Sequence, residues 1–470
     1  MQKFFIQIFI FSVFTCSFLA AQDTNENWNK LAGSAFIENH SYDMLQMLCD
    51  QAGGRMMGSA NNQKAMNILS EELKKYGLNA KLEPFTVPGW VRGEDEVVMT
   101  LPVEKHLLAI ALGYIDKTPE FEAEAFFAGY GFSSDYKSQD LKGKIALVTS
   151  ERPKGKEPLL RYEAIDIASQ MGAKAILFIN DNAGTLNLAG TGNFQGTPAP
   201  IPAFSLNYEE GMWLKRLLEK GQKVKLSINT RSYCKVTETS NLVFSLPGKV
   251  KEKIVIGAHF DSWDISQGAI DNGIGSAILF DVARLINRYS PNNYYSIDFV
   301  WFNGEEFGLW GSKKYVEMHK SDNIAAMINM DMTGAPTGFN VMGFEEFIPF
   351  FEQLKTKLNG FDLTSGVVNI PYTNSDHIPF MFRGIPTFSL QAHLEDEMVR
   401  YYHSSGDTFD KVNKKYLSEA SAVVCIMLSA LANFEKLSSG QKNPGEMADL
   451  FRKYHLDDRL KRQKEWIYGN

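Results

Sequence analysis

Four nearly unbroken apolar runs constrain this chain more than any other feature: "KIVIGAH" (253–259), "YYSIDFVWFNG" (294–304), "AAMINMDM" (325–332) and "IPTFSLQ" (385–391). A strand with one face in water alternates apolar and polar residues, whereas a run without alternation is buried on both faces. Helix-like segments lie between these runs at 273–289, 307–320 and 345–358, and a long one follows at 413–435. Strands covered on both sides and joined by helical crossovers predict an α/β architecture, a mostly parallel, doubly wound sheet with helices on both faces.

At 470 residues the chain is too long for one compact core. Upstream, "NNQKAMNILSEELKKYGLNAKLEPFTV" (61–87) reads as an amphipathic helix, a stop at Gly77 and a strand. Around residue 119 the character changes. "GKIALVTS" (143–150), "YEAIDIASQMGAKAILFIND" (162–181), "IPAFSL" (201–206) and "EEGMWLKRLLEKGQKVKLSIN" (209–229) make a smaller α/β module without a cluster of His, Asp and Glu. The expected order is a leader over 1–21, a catalytic domain over 22–118 and 240–435 interrupted by an insertion over 119–239, and a polar tail over 436–470 whose role is unreadable. The insertion is expected to be non-catalytic and to shape access to the site.

The first residues, "MQKFFIQIFIFSVFTCSFLAAQ", join one early lysine, an apolar run and small residues at Ala20 and Ala21, which is the pattern of a secretory signal. A membrane anchor is the rival reading. No later stretch reaches the ~18 apolar residues of a spanning helix, so an exported protein, periplasmic or secreted and without stable membrane insertion, is expected. A net charge of −7, with no block of Lys and Arg, argues against nucleic acid. Cys49, Cys234 and Cys425 are far apart and odd in number, and form neither a CxxC site nor a dense disulfide framework.

Ligands of open α/β sheets gather beyond the carboxyl ends of the strands, and these ends carry the chemistry. The first run ends on His259, the second leads into Glu305 and Glu306, and the third ends near Asp331. The loop in "GAHFDSWDISQGAIDNGIG" (257–275) delivers Asp271 just before a helix. Singly, such residues are helix caps, turn formers or satisfied core histidines. Together, four carboxylates in one crevice repel strongly unless a cation neutralises them. Imidazole with carboxylate suits zinc, and a shared carboxylate suits two ions about 3.5–4 Å apart. His403, in "RYYHSSGDTFDKV" (400–412), is the best further ligand. His377 in "SDHIPF" competes, whereas His40, His106, His319 and His455 lie in segments without an acidic strand-end partner.

The ordered set "AHFDSWDISQGAIDNG", "FNGEEFGLWGS", "NMDM", "SDHIPF" and "YYHSSGDTFD" resembles the motifs of the M28 family of zinc peptidases, most of all its carboxypeptidase Q branch. The likeness spans about residues 40–435, and the insertion resembles a protease-associated domain. The resemblance implies two zinc ions. His259 and Asp331 would complete one site, Glu306 and His403 the other, and Asp271 would bridge them. It implies Glu305 as general base, Asp261 as the carboxylate orienting His259, and a cis peptide between Asp271 and Asn272. Tyr402 would be the oxyanion donor, with Tyr401 as its rival.

The expected partners are a short peptide or dipeptide cut near a free terminus and no nucleic acid, and a homodimer is compatible with the sequence. Glutaminyl cyclase, which uses the same fold with one zinc, and an inactive binding ectodomain are the alternatives. The full ligand set favours the hydrolase. No motif for a terminal-carboxylate clamp is evident.

Overall fold

The computed structural model describes residues 26–136, 141–194 and 196–469, so the expected signal segment lies outside the described residues. The larger sheet has eight strands, in the spatial order Lys81–Val91, Tyr233–Leu246, Tyr295–Phe302, Val250–His259, Ile324–Asn329, Thr387–His393, Ala335–Asn340 and Gly366–Val368. The four central strands are parallel to one another, while antiparallel pairing enters on both flanks.

Burial explains the unbroken apolar runs. Every residue of Ile324–Asn329 is buried, as are the last six of Val250–His259. One face of the sheet, with Ile254, Ile256, Phe299 and Ile328, packs under the helices Ser41–Gln51, Ile274–Tyr289 and Lys414–Leu431. The other, with Val255, Val300, Phe302 and Met327, meets Tyr315 and Phe380 from the helices Trp310–Met318 and Ile378–Phe382. Helices thus cover both faces.

The chain leaves this sheet on Lys81–Val91 and returns on Tyr233–Leu246, two strands that pair antiparallel from Lys81 opposite Val243 to Val91 opposite Tyr233. Everything between them builds a second eight-stranded sheet, whose strands run from Glu96 to Thr230. The excursion therefore starts well before residue 119. The Glu96–Leu101 strand alternates in burial like an ordinary half-exposed strand, so composition does not mark the departure. The core of the insertion is parallel, Thr118–Phe127 beside Ile145–Thr149, Ala175–Ile179 and Ala203–Leu206.

The tail is folded. Pro444–Lys453 and Asp457–Arg462 are helices, and Met447, Phe451 and Leu460 are buried. Arg462 forks onto Glu163 of the insertion at 2.9 and 2.6 Å and also donates to the Pro158 carbonyl at 2.9 Å. Lys313 of the larger domain pairs with Glu465 at 2.7 Å. The tail thereby spans from one domain to the other.

Candidate metal centre

Two groups of side chains converge beyond the carboxyl ends of the central strands. His259, Asp271 and Asp331 form one, and Asp271, Glu306 and His403 the other, with candidate ligand atoms in each within 4.8 Å of one another. Asp271 belongs to both. Its Oδ1 lies 3.0 Å from His259 Nε2, and its Oδ2 lies 3.0 Å from His403 Nε2. His259 Nε2 is also 3.4 Å from Asp331 Oδ1, and His403 Nε2 is 3.0 Å from Glu306 Oε2. Glu305 belongs to neither group, and among the described residues its carboxylate takes no hydrogen bond or ion pair.

The backbone around Asp271 is built to hold it there. The peptide joining Asp271 to Asn272 is cis. Gly268 has φ +59°, and a Cβ on it would stand 2.2 Å from Ser262 Cβ. A Cβ on Gly275 would stand 2.2 Å from the Met330 carbonyl, so only glycine lets the start of the helix approach the strand end that precedes Asp331. Asn272 ties the same two segments, donating to the Met330 carbonyl at 2.8 Å and accepting from the Met332 amide at 3.1 Å.

Two supporting residues escaped the reading of the sequence. Asp407, in the motif that carries His403, accepts from the amides of Ile270 at 2.6 Å and Asp271 at 3.1 Å. Arg55 is fully buried and donates to the carbonyls of Phe260, Gln267 and Gly268 at 3.0, 2.7 and 2.8 Å, gathering the glycine-rich loop. Arg55 sits in "QAGGRMMGS", which reads as an unremarkable turn. Asp407 could have been sought as an acid beside a candidate ligand.

Asp261 acts differently from the expectation. His259 Nδ1 is 3.1 Å from the backbone carbonyl of Asp261 but 3.9 Å from its carboxylate. That carboxylate instead accepts from the amides of Gly304, Glu305 and Glu306 at 2.8, 3.1 and 3.3 Å. The turn after a strand leaves those amides unpaired, and the charge satisfies all three. The imidazole is still fixed, since a bond at Nδ1 leaves Nε2 facing the carboxylates.

His377 is not in either group. It is fully buried, its Nε2 meets the Tyr372 carbonyl at 2.8 Å, and burial pushes its pKa down to about 4. His319 lies between Glu83 and Asp322, at 3.0 and 2.8 Å, so it does have acidic partners, although they form no metal group among the described residues. Tyr402 stacks on the His403 ring, with centroids 3.8 Å apart, and lines the cavity. Tyr401 packs against the core of the larger domain instead.

The protonation pattern shows what the cluster lacks. Burial opposes charge on His259 and His403, yet the adjoining carboxylates prevail, holding His259 well above its ordinary value and His403 at about 10. Burial raises Glu306 to about 7 and Glu305 well above the carboxylate range. Burial would also raise Asp271, but its bonds to both imidazoles hold it well below that range. Glu306 Oε1 is buried without a partner.

A cavity of about 310 Å³ opens over this cluster, with walls from three parts of the chain. Arg161, Tyr162 and Phe194 come from the insertion, Trp263, Tyr402 and His403 from the larger domain, and Arg459 and Gln463 from the tail. The insertion is bonded directly to the His403 segment. The Ala189 amide donates to the His403 carbonyl at 2.7 Å, and the Ser405 amide donates to the Asn187 carbonyl at 3.1 Å.

Comparison with known proteins agrees with this geometry. Residues 241–428 match peptidase family M28, and residues 111–214 match the PA domain. Mouse carboxypeptidase Q is 27% identical over 418 residues, covering 85% of this chain and 87% of the relative. Aminopeptidase YwaD of Bacillus subtilis is 26% identical over 422 residues, covering 85% and 86%. In fold, an M28 peptidase precursor from Shewanella amazonensis superposes with a TM-score of 0.76 at 23% identity, covering 87% of this chain and 97% of that one. A zinc aminopeptidase from Bacillus subtilis superposes with a TM-score of 0.68 at 24% identity, covering 85% and 96%. The chain therefore carries an M28 peptidase domain, matched over residues 241–428, with a PA domain, matched over residues 111–214, inserted ahead of it.

Proposed function

We propose that the protein is an exported di-zinc exopeptidase that hydrolyses short peptides near a free terminus, with Glu305 as general base. The observation that carries the reading is Asp271, whose two oxygens face two different histidines, each with a further carboxylate of its own. His259, Asp271 and Asp331 would hold one ion, and Asp271, Glu306 and His403 the other. The donor set fits zinc, being imidazole and carboxylate with no sulfur. The fit is also electrostatic, because the crowded carboxylates favour positive charge at both imidazoles and Glu306 keeps a buried oxygen unpartnered. Zinc, when bound, supplies Lewis-acid polarisation of a carbonyl and a more acidic water.

The chain's own residues account for the rest. Glu305, outside both groups, would take a proton from the attacking water on a carboxylate oxygen and pass it to the leaving amine nitrogen. A raised pKa suits both halves of that task. Tyr402 on the cavity wall would donate its phenolic proton in a hydrogen bond to the developing oxyanion. The cavity, about 310 Å³ and walled by three segments, is of a size that suits a short peptide. Export rests on the sequence pattern of the first residues. Among the described residues no helix is long and apolar enough to cross a membrane.

Two adjacent substitutions test the assignment. Glu305→Gln should lower turnover by at least ~10²–10⁴-fold while both zinc ions stay bound. Glu306→Gln should weaken binding of one ion, with activity partly recovered at high zinc. Zinc stoichiometry and turnover on both variants decide it, and a reversed pattern overturns it.

A further inference from the structure

Two guanidinium groups on the cavity wall have no carboxylate at ion-pair distance among the described residues. Arg459, on the tail helix Asp457–Arg462, makes no hydrogen bond or ion pair with its side chain among the described residues, although it borders the cavity. Arg161, at the start of an insertion helix, spends one donor on the Ala189 carbonyl at 2.9 Å and meets no carboxylate at ion-pair distance among the described residues. The wall's other charges are accounted for. Lys313 and Glu465 neutralise each other at 2.7 Å, and Glu305 and Glu306 belong to the metal cluster. Beyond that cluster the cavity therefore carries two guanidinium groups without a carboxylate at ion-pair distance among the described residues, Asp181 and Glu157 acting on them only from farther off.

A guanidinium can be satisfied by carbonyls, as Arg55 is, but an anion makes the stronger, charge-assisted bond, and here half-buried Arg161 and exposed Arg459 both face the cavity where one could bind. Both groups line the same cavity as Tyr402, His403, Glu305 and Glu306, and Tyr402 stacks on His403. They are thus beside the metal cluster, not at a remote rim. A guanidinium offers a planar fork that matches a carboxylate, and a pair of forks can engage both of its oxygens. In a dipeptide, the α-carboxylate is the anion that lies within one residue of the bond to be cut.

We propose that the C-terminal tail forms part of the substrate pocket and that Arg459, with Arg161 of the insertion, binds the free α-carboxylate of a short peptide, making an unblocked C terminus the specificity determinant. This rests on the peptidase reading above, and names which terminus that site recognises.

The test uses the full zinc-loaded chain with leucyl-alanine and its C-terminal amide. Wild type should favour the free acid in kcat/KM by about 10- to 100-fold, the scale of a charged hydrogen-bonded contact, with the difference mainly in KM. Arg459→Met should bring the acid-to-amide ratio close to one, and Arg459→Lys should restore part of it. Arg161→Lys, which can still reach the Ala189 carbonyl, should reduce the ratio without unfolding the chain. A wild type that treats acid and amide alike, or an Arg459→Met that lowers both equally, overturns the proposal. Calorimetric binding of the two peptides to Glu305→Gln separates this failure from that of the peptidase reading. Arg459-dependent preference for the acid without cleavage by wild type would leave the clamp standing and remove the peptidase. Cleavage without preference would do the reverse, and neither binding nor cleavage would remove both.

Discussion

Replacing Asp407 by Asn should loosen the metal site without touching any candidate ligand. Each Asp407 oxygen accepts one backbone amide, from Ile270 at 2.6 Å and from Asp271 at 3.1 Å, in a place where the side chain is 2% exposed. An amide keeps one acceptor and turns an NH₂ towards the other N–H. The variant thus loses one hydrogen bond to a charged acceptor, worth about 1.5–3 kcal/mol, and leaves a buried N–H unpaired at a similar cost. Both penalties concern the same amide and overlap, so a loss of about 2–3 kcal/mol in unfolding free energy follows. Asp271 would then sample other positions, and zinc affinity should fall about 10- to 100-fold, as for other groups that orient a ligand from behind. Burial pushes the Asp407 carboxyl up to about 7, so the measurement belongs at pH 8, where it is ionised. Urea unfolding of the metal-free chain gives the first quantity, and zinc competition with a chromophoric chelator gives the second. Wild-type zinc affinity in an Asp407→Asn protein of lowered stability would refute the positioning argument and leave Asp407 as a purely structural residue.

Asp271→Ala should abolish turnover and remove most bound zinc, as read by elemental analysis of the dialysed protein, since both groups lose their common member. His319→Gln should cost about 1 kcal/mol near pH 6 and progressively less at higher pH. The carboxylates Glu83 and Asp322 raise the His319 pKa against burial and the charge of Lys253, so its stabilisation is full below the unfolded value and fades as pH rises through the folded one. Urea midpoints at pH 6 and pH 9 check this, and a deficit that grew with pH would be the wrong sign. Arg462→Ala should leave zinc content unchanged but free the tail from Glu163, seen as faster proteolysis after residue 440 and a higher KM for short peptides.

The legible part of this molecule is the part that repeats or terminates a pattern. Unbroken apolar runs revealed the central strands, and the residues at their carboxyl ends were visible because a strand end is a definite address in a parallel sheet. What stayed hidden depends on single polar contacts between distant segments. Arg55 reaches carbonyls more than 200 positions away, and nothing periodic marks such a bond. Asp261 is adjacent to its imidazole in sequence, which suggested a carboxylate contact, but the three bare amides of the next strand turn claim that carboxylate first. The tail reads as polar and charged because the apolar residues it buries, Met447, Leu450, Phe451 and Leu460, are spaced among the charged residues of two short helices that also pair with both domains. The onset of the insertion was misplaced for a related reason. Its first strand has the same half-exposed pattern as Lys81–Val91, the strand it leaves.

The pairing of residues 187–189 with the His403 segment makes the inserted domain difficult to exchange for another of the same kind. A replacement grafted onto the paired strands Lys81–Val91 and Tyr233–Leu246 would keep the same point of attachment, yet it would also have to present a carbonyl where Asn187 has one and an amide where Ala189 has one. A graft without that edge would leave the His403 main chain unanchored, and its imidazole would lose its fixed bearing on Asp271 and Glu306. Variation in such a scaffold is therefore steered towards loops that border the cavity without holding the His403 backbone, here the segments around Arg161 and Phe194. New substrate preferences can arise there while the chemistry below remains intact.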